Sequence, residues 1–296
     1  MKSVFTAVCL WLALPVTALT AAPNHNKVSL DFTSSTQSGA AKVYGASYLY
    51  SQDALGKTDA PYALDSYFSQ GNQLLLGYSR YTTDHDFYSN DYHFGGRYVF
   101  DNNIYIRGSA YVDQHSGNAR YEGWSLYHFD AGYFIDDSSR IGIGYARSGL
   151  RGDGIDVRHE FNLYYSKFLK TDFTEGLKFS VDGSVYRHSM ASFEYSTRTE
   201  YDEGGNIISV QKAYDIYMSL EASARFKVNL AWYITKSLDV SARYCYSSNG
   251  HTWTPGVNYE QPLTDSLSLR AAAETDFEDG DYGIGVVYQL GVIGRF

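Results

Sequence analysis

Charged side chains recur at alternate positions within stretches whose intervening positions are apolar or aromatic. They are Arg97, Arg107, Asp130, Arg158, Glu160, Asp182, Glu221, Arg225, Arg243, Arg270 and Glu274. Both signs are present, and no common spacing ties them to a metal or a nucleotide. Around a water-filled space, such groups create a transverse field that sorts solutes by charge. In a filled interior they would have to pair with one another, because buried charges demand partners. The elements that carry them decide between these two arrangements.

Other chemistry is sparse. His188 precedes Ser189, Ser247-Ser248-Asn249-Gly250 is followed by His251, and Asp84 and Asp86 flank His85. Catalysis needs nucleophile, base and orienting group within hydrogen-bond reach, and none of these runs supplies all three. They read as ordinary loop or rim residues, and no enzymatic activity is expected. Acidic groups cluster at Asp84, Asp86 and Asp91, at Glu194, Glu200, Asp202 and Glu203, and at Asp276, Glu278, Asp279 and Asp281. Such oxygens could hold calcium or bridge to lipopolysaccharide through divalent ions, but no twelve-residue calcium loop is present. They read as solvated tips that enrich cations, and neither a metal site nor a cofactor is assigned.

The element that organises the chain is Tyr214 to Ile234. Tyr214, Ile216, Met218, Leu220, Ala222, Ala224, Phe226, Val228, Leu230, Trp232 and Ile234 form one apolar row, while Glu221, Arg225 and Lys227 lie in the other. Period-two alternation marks an extended strand, whose successive side chains point to opposite faces. At roughly 3.3 Å per residue this run is on the order of 70 Å long. A tilted strand crosses a bilayer in about 9 to 11 residues, so the pattern predicts a membrane strand that continues into a raised hairpin.

Shorter versions of the pattern fill the chain: Lys27 to Ser35, Ala41 to Ser51, Gln73 to Thr82, and then paired runs with tight turns at Asp101, Asp136, Lys170, Thr235 and Pro262. Asp53 to Gln70 interrupts them, and its Tyr62, Leu64 and Phe68 predict a small element tucked at one mouth. Short turns on one side and longer, more polar connections on the other, Ala191 to Lys212 and Ser248 to His251 among them, describe an up-and-down transmembrane barrel with its short turns in the periplasm. About 14 strands are expected, or 12 if the two runs before Gln73 are misread. A barrel of that size is too wide to be filled by side chains alone, which favours a pore.

Composition agrees. Among 296 residues there are 29 Tyr and 27 Gly but 5 Pro, and the net charge is −9. Lipid-facing and lumen-facing residues average out along each strand, so an all-β barrel hides its hydrophobicity. Tyrosine suits the interfacial girdles, and net acidity argues against nucleic acid as a partner. Lys2, the apolar run Val4 to Leu14 and the small residues up to Ala22 read as a cleaved export signal over 1–22, leaving 23–296 as the barrel. Cys245 is then the sole thiol, so no internal disulfide is expected.

Together with the terminal Phe296, this layout resembles the outer-membrane β-barrel proteins of Gram-negative bacteria, which commonly end in a phenylalanine read by the barrel assembly machinery. Gly294 departs from that signal where many members carry an aromatic residue. Outer-membrane phospholipases and lipid-A deacylases place a histidine before the serine of a His-x-Ser-Asn-Gly-like run, and here Tyr246 stands at that position. The resemblance implies an outer-membrane location and partners among outer-membrane lipid, lipopolysaccharide and small polar solutes, with a homo-oligomer possible. A porin-like channel is expected. The alternative is a non-conducting barrel with a structural or adhesive role, and a barrel hydrolase is the remote one.

Overall fold

The computed structural model describes residues 25–36, 42–55, 61–82, 88–115, 124–150, 157–201, 207–248, 250–275, 277–278 and 285–296. Fourteen long strands follow one another: β1 (Asn26–Ser35), β2 (Lys42–Ser51), β3 (Gln73–Thr82), β4 (Tyr88–Val99), β5 (Ile104–His115), β6 (Trp124–Asp136), β7 (Ser139–Leu150), β8 (Val157–Leu169), β9 (Gly176–Tyr201), β10 (Ile207–Tyr233), β11 (Leu238–Ser247), β12 (Gly250–Pro262), β13 (Leu267–Thr275) and β14 (Val286–Arg295). Each pairs antiparallel with its sequence neighbours, and β14 returns to β1 with Lys27 opposite Arg295. Asn26 and Phe296 exchange backbone hydrogen bonds of 2.8 and 2.9 Å, so the last residue helps to close the cylinder. Phe277–Glu278 adds a two-residue pairing to β12.

The wall is inside out relative to a water-soluble protein. Phe94, Phe129, Ile143 and Phe161 are about three-fifths exposed and stand on the outer face, whereas Arg97, Asp130 and Glu260 are buried on the inner one. Hydrocarbon tolerates this arrangement because a closed sheet satisfies every backbone donor and acceptor internally. On the inner face, the Tyr105 ring lies against Gly132 and the Tyr164 ring against Gly142. A Cβ at either glycine would collide with the tyrosine ring and with a backbone carbonyl. The two hydroxyls meet at 2.5 Å. Turn chemistry fixes the register at the short turns: Asn103 takes the left-handed conformation (φ 64°) that asparagine tolerates better than most residues.

The long hairpin is longer than the sequence implied. The stretch Ala191 to Lys212, expected as a connection, is mostly paired strand, with Ala191 opposite Met218 and Tyr201 opposite Ile207. β8 accompanies β9 only up to Ser189, and β11 accompanies β10 only from Arg225. Beyond those points β9 and β10 form a two-stranded ribbon. The alternation that continues above the wall is enough to keep the ladder going. The Ser248 to His251 connection is similarly tight, since β12 begins at Gly250 opposite Ser247.

Candidate functional site: the short-turn mouth of the lumen

The β2–β3 connection is the one short-turn-side link that does not simply reverse direction. Tyr62–Leu64 forms a 3-10 turn that runs into a helical turn at Asp65–Phe68. Its apolar side chains have somewhere to go: Leu64 and Tyr67 pack with Phe168 of β8 and Tyr233 of β10, and Phe68 meets Phe168 edge-on at 5.1 Å. The backbone N–H of Tyr62 donates to the carbonyl of Lys236 in the β10–β11 turn at 3.0 Å. The Tyr67 hydroxyl donates to the carbonyl of Ser138 in the β6–β7 turn at 2.7 Å and accepts from Ser166 at 3.2 Å. Gln70 donates to the carbonyl of Asp136 at 2.9 Å. The segment therefore leaves the β2–β3 wall and is fastened to the wall facing it, across the mouth.

Arg97 holds its return. The guanidinium donates to the carbonyl of Gly71 at 3.0 Å and to that of Ser69, and Asn72 accepts the N–H of Val99 at 2.7 Å. Asp53 receives the N–H of Gly71 at 2.5 Å. Burial pushes the Tyr67 phenol above its ordinary pKa, so it stays a neutral donor. Its ring is flanked by two cations, with the Arg140 guanidinium carbon 4.8 Å and the Lys178 ammonium nitrogen 4.6 Å from the ring centre. The electron-rich face attracts both, which lets like charges gather where they would otherwise repel.

Inside this segment lies a cavity of about 170 Å³ bordered by Tyr67, Arg97, Tyr105, Arg107, Arg140 and Lys178. No carboxylate among the described residues lines it; Asp130 lies beside Arg107, and Asp53 and Asp239 are near enough to act on Arg97 and Lys178. Asp130 is engaged by Arg107 at 2.5 Å and approached by His128 at 3.3 Å. Among the described residues, no ion pair involves Arg97, Arg140 or Lys178, and the Arg140 Nε is buried without a hydrogen-bond partner. The chamber thus carries an excess of positive charge.

The residues picked out from the sequence form several groups. Arg107 meets Asp130. Glu160 takes Arg158 at 2.9 Å and also Arg225, a contact that joins β8 to β10 across β9. Arg243 reaches Glu274 at 3.3 Å, with both side chains about half exposed. Asp182 accepts from Asn162 at 3.0 Å, and Arg270 donates to Asn258 at 2.9 Å. Arg97 meets backbone carbonyls rather than an acid. Glu221 lies opposite His188 in the β9–β10 ladder, but its side chain falls outside the described residues.

Arg140, Lys178 and Tyr67 were missed, as was the buried pair of Arg295 and Glu260 at 2.6 Å. Parity could have found Lys178, which shares a row with Asp182, but a lysine near a turn reads as a solvated strand end. Of the acidic clusters, Asp91 points inward and accepts from Ser79 and Ser89 at 3.2 and 2.9 Å. Asp84, His85, Asp86, Asp202, Glu203, Asp276, Asp279 and Asp281, and the side chains of Ser189, Glu194, Glu200 and Glu278, lie outside the described residues.

No protein-family model matches the chain, and no curated protein matches it. Solved structures do. The Acinetobacter baumannii outer membrane protein Omp33 superposes with a TM-score of 0.52 at 13% identity, over 93% of this chain and 100% of that one. The CymD monoaromatic hydrocarbon channel superposes with a TM-score of 0.53 at 8% identity, over 96% and 92%. The fold is that of outer-membrane β-barrels. At such identities it is the architecture that is shared, and the chemistry of the lumen is this chain's own.

Proposed function

We propose that the protein is a porin-like outer-membrane channel through which small polar solutes diffuse passively, with the β2–β3 segment narrowing its periplasmic mouth. Residues 1–22 would direct its export. The observation that carries this reading is the cation-lined chamber beside the inserted segment, in a barrel of a size too wide to be filled by side chains alone. A unit anion about 6 Å from one cation gains roughly 3 kcal/mol at an effective dielectric of 20, before screening. Several such cations offset a good part of the cost of stripping water from an anion. The mouth therefore favours small anions over cations, a stronger influence on selectivity than solvated acidic loop tips.

The reading of a non-conducting barrel has one observation in its favour: the segment is bonded to both sides of the mouth. Planar-bilayer recording separates the two. A channel gives steady current steps that scale with salt and, in a salt gradient, a reversal potential on the anion side. A folded but silent barrel would leave the structural reading standing and remove the channel.

A further inference from the structure

The outer face carries a charge pattern of its own. On the fourteen strands, among residues whose side chains are described, Asp31, Asp91, Asp113, Asp130, Glu160, Asp182, Asp239, Glu260 and Glu274 all share the inward parity of their strands, and Asp136, at the short-turn end of β6, accepts from Ser138 in the turn. Basic residues do point outward. Arg147 on β7, His159 on β8 and Arg187 on β9 are directly opposed in the ladders, Arg147 to His159 and His159 to Arg187. They lie two residues beyond the outward row Tyr145, Phe161 and Val185, towards the long connections. Lys42 and Arg80 stand outward at the same end of β2 and β3.

Directly opposed cross-strand side chains have Cβ atoms about 5 Å apart, and like charges there are destabilising. Arg147 and Arg187 are exposed, and no hydrogen bond or ion pair joins either of them to another described residue. His159 is held by the Tyr145 hydroxyl at 2.8 Å from its Nδ1. Three basic groups in a line at the edge of an apolar wall, with no acid beside them on its described outer face, are complementary to anions at the level of a lipid headgroup. Guanidinium groups match phosphate oxygens in a bidentate manner, and partial desolvation at the interface strengthens the contact.

We infer that Arg147, His159 and Arg187 form a docking site for the phosphate groups of lipopolysaccharide in the outer leaflet. The inference rests on the outer-membrane placement proposed above and not on conduction. Its test is done on the refolded full barrel in detergent, where placement and current play no part. Binding of lipopolysaccharide, of the same lipopolysaccharide after phosphatase treatment, and of phosphatidylglycerol would be compared by native mass spectrometry.

The wild-type barrel should bind intact lipopolysaccharide most tightly. The double variant R147Q/R187Q should lose about tenfold or more, the scale of two charge-assisted hydrogen bonds. R147K/R187K should retain part of the binding, and K167Q, a charge removed at the opposite end of β8, should bind as wild type. Equal binding by wild type and R147Q/R187Q, or equal binding of intact and dephosphorylated lipopolysaccharide, would overturn the site. Equal binding of phosphatidylglycerol would overturn the choice of occupant. Fractionation of the native protein away from the outer membrane would sink the placement instead, whatever the detergent result.

Discussion

Tyr67 shows how one side chain couples the mouth to the wall. Its hydroxyl ties the β2–β3 segment to Ser138 and Ser166, and its ring holds Arg140 and Lys178 on one chamber. Replacing it by alanine removes both ties and the support for the two cations. Tyr67→Ala is expected to raise single-channel conductance and broaden its distribution while the barrel still folds, which recording and the heat-modifiable gel mobility of folded barrels together would show. Unchanged conductance would mean that the segment does not limit flow. Gly132 makes the opposite point. A methyl group there meets the Tyr105 ring and the carbonyl of Ile141, so Gly132→Ala should lower stability in urea by about 1–3 kcal/mol, the usual cost of overpacking. Neither role could be read from the sequence. Tyr62, Leu64 and Phe68 marked an apolar element at a mouth, but their partners Phe168, Tyr233 and Ser138 are remote in the chain and come near only when the cylinder closes.

Strands were the most legible level, because parity is a local property. The row Phe226, Val228, Leu230 and Trp232 and the opposed row Arg225, Lys227 and Asn229 fall on the outer and inner faces as alternation requires. Val228→Arg puts a charge into the lipid-facing row at a cost of about 2–4 kcal/mol near the midplane. It should impair insertion into vesicles, whereas Arg225→Ala should leave folding intact and change ion selectivity, since Glu160 keeps Arg158. Equal damage from both would mean that the faces are reversed. The ribbon was legible in its β10 half from Tyr214 and was missed in its β9 half, although Phe193, Tyr195, Thr197 and Thr199 alternate there with Ser192, Glu194, Ser196 and Arg198. With Glu200, Asp202 and Glu203 following, that polar row reads as a loop until the ladder with β10 pairs it. Replacing 191–218 by a two-residue turn is expected to leave refolding yield and conductance near wild type, because β8 and β11 pair below that level. Loss of folding would show that the ribbon nucleates the barrel.

At the scale of the whole molecule, counting hairpins led to fourteen strands, and closure of β1 onto β14 makes that count a cylinder. Which lumen charges meet was beyond the sequence: Arg225 and Glu160 are neighbours only because β8, β9 and β10 stagger, and Arg97 is spent on the carbonyls of an inserted segment. The net charge of −9 gives no hint of a positive chamber, since sign is set locally by which few residues share a level of the lumen. The central claim is that this level governs passage, and the most direct measurement is the reversal potential of the refolded protein in a bilayer under a tenfold salt gradient, beside that of the R140Q/K178M variant. Steady conductance with anion preference in the wild type, moved toward zero in the variant, is the predicted result. A cation-preferring channel that the variant leaves unchanged, or a folded barrel that passes no current, would contradict it.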